Sequence, residues 1–119
     1  MSSIIYKILR PQEWQAAKTA TFFTGAPVDK ADGFIHFSTA KQVEETARRY
    51  FADCENVHVL AVAEDKLPAD QVKWEPSRGG DLFPHLYGVM PMAAVIAHRR
   101  LEQADGIFDF STIFRDIAP

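Results

Sequence analysis

Residues 74 to 88, WEPSRGGDLFPHLYG, crowd Glu75, Ser77, Arg78, Asp81, His85 and Tyr87 around two adjacent glycines and two prolines. A carboxylate, an imidazole, a guanidinium and a phenol so close in the chain are the ingredients of general acid–base work and of anion recognition. Pro84 fixes the backbone before His85 and Gly88 frees it after, which is how a chain aims a side chain. Glu75 precedes Pro76 and is therefore held extended at a strand end. Arg78 beside Gly79 and Gly80 suits a turn whose N–H groups converge on an anion. A second group lies in GFIHFST, residues 33 to 39. His36 sits in mid-strand between phenylalanines, just before a helix start that carries Ser38 and Thr39. Helix N-termini offer free N–H groups, so two hydroxyls and an imidazole there form a mouth for phosphate or carboxylate.

A plainer reading stands beside each of these. His36 is equally a core histidine with a satisfied hydrogen bond. Ser38 and Thr39 cap a helix whether or not they bind anything. His85 and Tyr87 can simply pack in a turn. Of the remaining histidines, His58 reads as a half-exposed strand residue and His98, before Arg99 and Arg100, as a surface one. HxH and HExxH spacings are missing, so no metal is expected. Walker, Rossmann and nucleophile-elbow patterns are missing too.

The elements that must position these residues follow from pattern. SIIYKIL is β-branched and aromatic up to Pro11, a strand. Pro11 then opens a helix expected to run through PQEWQAAKTATFF. TGAPVDKADG reads as a loop by its Gly, Pro and Asp content. GFIHFS alternates Phe34 and His36 with Ile35 and Phe37, a strand. Thr39 and Gln42 have capping-box spacing, and Val43, Ala47, Tyr50 and Phe51 recur as one buried helical face. VHVLAVA suits a central strand covered on both sides. VKWE is a short strand, the segment from 74 to 88 is irregular, and AAVIAHRRLE is a strand with a helix as the alternative. The last stretch, GIFDFSTIFRDIAP, is too apolar to float free. The expected fold is a small α+β domain spanning residues 1–119, with two early helices and about five short strands.

Composition agrees with one globular domain: 119 residues, 47% hydrophobic, 24% charged. A net charge of −3 argues against DNA as a partner. One cysteine, Cys54, allows no internal disulfide and fits a reducing, cytoplasmic setting. No apolar run approaches a membrane span or a secretory signal.

In this order, DGFIHFSTAKQVEETARRYF, VHVLAVAEDKL, VKWEPSRGG and FPHLYG resemble the family called domain of unknown function 952, from Ile5 to about Leu101. In short motifs and element order the chain is also similar to the ADP-ribosyltransferase superfamily, including the RNA 2'-phosphotransferases. The resemblance implies a split, twisted sheet with two to three helices. It implies a core over 5–101, a tail over 102–119 docked on the body, and a cleft across which SRGGDLFPHLYG faces GFIHFST. It also implies a nucleotide-like ligand of the NAD or ADP-ribose type. His36 and His85 would orient or protonate that ligand, and Glu75 would stabilise positive charge developing at an anomeric carbon. Lys7, Ser38, Thr39 and Arg78 would hold its negative charge, and Tyr87 would stack on a ring. Two departures stand out. Lys7 follows Tyr6 where the superfamily has histidine, and Asp32 stands where the phosphotransferases use arginine. The first favours an alternative, a non-catalytic module for a small acidic ligand or a peptide, and the second argues against 2'-phosphate recognition. A third reading has the apolar tail mediating dimerisation.

Overall fold

The computed structural model describes residues 3–117. Its larger sheet is built on β4 (Asn56–Ala63), whose run is apolar on both faces and is buried from Val57 onward. β1 (Ile4–Leu9) lies antiparallel on one side of β4 and β8 (Val95–Ala104) on the other, with β9 (Ile107–Phe108) at the far edge. A second, antiparallel sheet holds β3 (Ile35–His36), β6 (Leu82–Leu86) and β5 (Val72–Pro76) in that order. The short strands β2 (Phe22–Phe23) and β7 (Met90–Pro91) pair with each other. The two larger sheets meet at one residue pair. Tyr6 donates to the Ser38 carbonyl at 2.7 Å and Ser38 donates back at 2.9 Å. All the pairings are antiparallel and the helices lie outside the strand order, so the domain is α+β.

The described residues form four α-helices: α1 (Pro11–Ala17), α2 (Pro27–Asp32) and α3 (Val43–Tyr50) between strands, and α4 (Ser111–Ile117) after β9. Two to three were expected and the residue pattern placed only α1 and α3; α2 lies in a segment read as loop, and α4 in the tail, to which no element was assigned. Pro27 opens α2, the Asp29 carboxylate accepts the Ala26 N–H at 2.8 Å, and Gly33 closes it at a left-handed φ of 88°. The helix expected through Phe23 instead stops at Ala17. Thr19, Thr21 and the two phenylalanines that follow prefer extended backbone, and Phe22–Phe23 becomes β2. Segment 74 to 88, expected to be irregular, is mostly a hairpin. β5 and β6 flank a turn through Arg78–Gly80, and Ser77 donates to the Asp81 carbonyl at 2.9 Å. Tyr50, expected on the buried face of α3, is 56% exposed.

The β1–β4 layer separates two apolar clusters. Ile5, Leu9, Leu60 and Val62 pack toward Ile35, Phe37, Leu86 and Met90. Tyr6, Ile8, Val57 and Val59 pack toward Val43 and Ala47 of α3 and Ile113 of α4. Phe110 and Ile113 are fully buried, and burial of such a side chain stabilises by about 2 kcal/mol. The last two residues of the tail, 118 and 119, lie outside the described residues. Among the described residues no helix is long and apolar enough to cross a membrane.

Candidate functional site

Strand pairing brings the two reactive segments side by side. The β3–β6 register sets His36 opposite His85, and the β5–β6 register sets Lys73 opposite His85 and Glu75 opposite Phe83. Side chains alternate along a strand, so Phe34, His36, Glu75, Phe83, His85 and Tyr87 share one face. Ile35, Phe37 and Leu86 occupy the other face and enter the core. GFIHFST and FPHLYG are thus neighbouring strands of one sheet. This corrects the expectation that they face each other across a cleft. Their ladder ends at Pro84, whose carbonyl accepts the Phe37 N–H at 3.0 Å but which has no N–H to return.

On this face His85 Nδ1 lies 2.7 Å from Glu75 Oε1, and the Tyr87 hydroxyl donates to the same oxygen at 2.7 Å. A carboxylate only accepts, so it fixes the proton on Nδ1 and leaves the Nε2 lone pair free. Among the described residues no side chain bonds that Nε2. The Tyr87 hydroxyl and then the His85 ring hold the Glu75 carboxyl below its usual range, and the same bond pushes the Tyr87 phenol up. Phe34 stacks on His85 with centroids 4.0 Å apart and leans toward His36 at 4.6 Å and Tyr87 at 5.2 Å. His85 is 5% exposed, whereas Glu75 reaches solvent. The two histidine rings meet nearly edge-on, 5.7 Å between centroids.

His36 stands between two carboxylates. Its Nδ1 is 2.6 Å from Asp29 Oδ1 and its Nε2 2.8 Å from Asp32 Oδ2. Both nitrogens can donate at once only in the imidazolium form. Asp29, 2% exposed, also accepts the His36 backbone N–H at 3.1 Å and the Lys7 ammonium at 2.9 Å. Burial acts to raise its pKa, but the hydrogen bond from His36 and the charge of Lys7 prevail and bring it to about 2. Lys7 is itself drawn down by burial, against the pull of Asp29. One carboxylate therefore ties β1, α2 and β3 together. Gly25 makes room for it, at φ 113° with the position of an added Cβ 3.1 Å from Asp29 Cβ.

Several expected ligand-holding residues are otherwise engaged. Lys7 is 5% exposed and paired with Asp29, so it offers no charge to a phosphate. Ser38 is buried, with its hydroxyl 3.2 Å from Thr46 Oγ1. Thr39 gives its N–H to Gln42 Oε1 at 3.0 Å, which is half of the expected capping box; its backbone carbonyl, not its hydroxyl, accepts the Val43 N–H at 3.0 Å, and the residue at the cap of α3 is Gln42. Arg78 donates to Thr46 Oγ1 at 3.1 Å and lies 5.0 Å over the Phe83 ring. His58, read as half-exposed, is 7% exposed and bonded to His98. Among the described residues no group of three or more His, Cys, Asp or Glu is placed to hold a metal ion.

Asp29 and Phe34 were missed from the sequence. Asp29 was legible as an acid in the first turn after Pro27, and Phe34 as the residue in phase with His36. A cavity of about 230 Å³ adjoins the face through both of them. A larger one of about 520 Å³ lies between the 52–56 loop and the end of β8, away from the histidine face, and it shares no residue with it.

The family model described as Protein of unknown function (DUF952) matches residues 8–98, and the chain belongs to that family. It is similar to protein CC0527 from Caulobacter crescentus. Against the X-ray structure of that protein the identity is 42% and the TM-score 0.87, over 95% of this chain and 99% of that one. Against its solution NMR structure the TM-score is 0.78, over 97% of each chain. No curated protein matches the chain.

Proposed function

We propose that this DUF952 protein binds a nucleotide-like ligand on the Phe34–His36–Glu75–His85–Tyr87 face and acts on it by acid–base chemistry. The carrying observation is the Glu75–His85 bond, a base held by an orienting carboxylate with its second nitrogen free. In the proposed step, His85 Nε2 takes the proton of an attacking hydroxyl. The new C–O bond forms at the anomeric carbon as the bond to the leaving group breaks with its electron pair. The second oxygen of Glu75 faces the positive charge that develops there. Phe34 and Tyr87 supply ring faces beside His85. Arg78 gives one of its N–H groups to Thr46 and keeps the others to meet negative charge, whereas the Lys7 ammonium and the Ser38 hydroxyl are engaged within the protein. Likeness to the ADP-ribosyltransferases supports the ligand class by analogy only.

The test is a thermal-shift screen with NAD, ADP-ribose, nicotinamide mononucleotide, AMP and phosphate. A ligand at a hundred times its dissociation constant adds about 2.7 kcal/mol, a plain shift. The expected result is a nucleotide shift that His85→Ala abolishes and Glu75→Gln keeps, with product formation lost in Glu75→Gln. Silence from every nucleotide would sink the reading. The second reading, a binding module without turnover, is favoured by the closure of Lys7 on Asp29. It predicts a shift with no product from the unaltered protein.

A further inference from the structure

The other two histidines also meet. β4 and β8 set His58 opposite Arg100 and Leu60 opposite His98, which places the two imidazoles diagonally on one face. His58 Nδ1 is 2.9 Å from His98 Nε2, and the ring planes differ by 7°. The centroids are 5.1 Å apart, so the rings join end to end in nearly one plane. Trp14 of α1 lies flat over both, 4.0 Å from His98 at 12° and 5.6 Å from His58 at 17°. Its indole also packs against the apolar cluster beneath. Among the described residues neither ring is bonded to a carboxylate.

An N–H···N bond needs one proton and one lone pair between the facing nitrogens. The neutral pair satisfies this, and so does the pair with one added proton. A second added proton sets N–H against N–H and puts two like charges on adjacent rings. The surroundings make that proton harder to accept. Lys18, just past the end of α1, and Arg99 and Arg100 on β8 are all cationic. Arg99 is paired with Asp116 of α4, and Arg100 with Glu102 at 2.6 Å. The nearest acid on α1, Glu13, accepts the Arg10 N–H at 2.8 Å. On β1, Lys7 shares this face of the sheet and is held by Asp29. Burial first, then His98, Arg100 and Lys18, lower the His58 pKa. Burial, then Arg99, lower that of His98.

We propose that the His58–His98 pair is a proton-operated latch for α1: with at most one added proton it seats Trp14, and a second proton releases Trp14 and α1 from the sheet. The sign follows from linkage. A histidine whose pKa is depressed on folding favours the folded, neutral form, so the latch is complete above about 6.5 and weakens as pH falls below it. Each proton taken up on opening multiplies the open population by up to about tenfold per pH unit. α1 suits a movable element, since its seven residues include one buried side chain, Ala17.

The chain has two tryptophans, so Trp74→Phe leaves Trp14 as the sole reporter. Trp14 emission, and amide exchange corrected for its intrinsic pH dependence, are followed from pH 8 to 5. The expected result is an emission change and loss of α1 protection below about 6.5 while α4 stays protected. In the His58→Gln/His98→Gln variant, which takes no proton there, emission is flat over the same range. Flat emission with both histidines present overturns the proposal. So does an unchanged transition in the double variant, or loss of α1 and α4 protection together.

Discussion

The domain carries two pairs of histidines, each bridging adjacent antiparallel strands, and the two pairs differ in what reaches their nitrogens. On the small sheet, His36 and His85 face each other in register, yet each is bonded to carboxylates: Asp29 and Asp32 for one, Glu75 for the other. On the large sheet, His58 and His98 are bonded to each other beneath an indole, with cations around them. The first pair faces carboxylates that take its protons as hydrogen bonds, with His85 Nε2 left without a side-chain partner among the described residues. The second is arranged to resist its last proton. Residue type and strand context are alike, so the partner arriving within about 3 Å decides the chemistry.

The contrast can be broken most forcefully at Asp29. Asp29→Ala strands the Lys7 ammonium in the interior and frees His36, and it is expected to cost about 3–5 kcal/mol in chemical denaturation. A loss below about 1 kcal/mol, the value of an exposed pair, would show that Asp29 does not organise the small-sheet histidines. Next comes acid pH. The Asp29 carboxyl falls from 3.8 to about 2 on folding, so its contribution is complete above 3.8 and is lost as pH falls through about 2. That shift corresponds to about 2 kcal/mol of stability. The His58–His98 loss begins higher, below about 6.5, so stability against pH should descend in two separate steps. Replacing both large-sheet histidines by glutamine removes only the upper one, and a curve that keeps it would erase the distinction. Trp14→Ala should cost about 1–2 kcal/mol at pH 7.5, less than a fully buried tryptophan, and clearly less again at pH 5. Equal costs at both pH values would contradict the latch. The smallest effect is expected of Tyr87→Phe. It leaves the denaturation midpoint in place and moves the Glu75 carboxyl up toward its usual range, read by carboxyl NMR titration.

Part of this was legible in the chain. The continuous apolar run of β4 announced a strand covered on both faces, and the alternation of Phe34, Ile35, His36 and Phe37 separated the imidazole's face from that of Ile35 and Phe37, without telling which of the two meets the core. Gln42 announced its bond to Thr39. The helix α2 was hidden because Pro27, Asp29 and Gly33 are residues of both turns and helix ends, and only the backbone between them separates the two. The hairpin at 74 to 88 was hidden for a related reason. Its Arg78–Gly80 turn residues stood in the middle of two strands too short to show a period. Lys7 looked available because a lysine in an alternating strand is usually at the surface, and its buried counter-charge lies 22 residues further on.

The sequence by itself determined which residues share a face, because the period of a strand is a local property of the backbone. Only the tertiary structure decided what each face meets. His58 and His98 are 40 residues apart, and Glu75 reaches His85 only through the β5–β6 register. Register is set by the burial of apolar side chains on the opposite faces of the sheets, a sum over the whole domain. A histidine's role depends on that sum, since a shift of one residue along either strand would send its ring to the other side and exchange every partner described here.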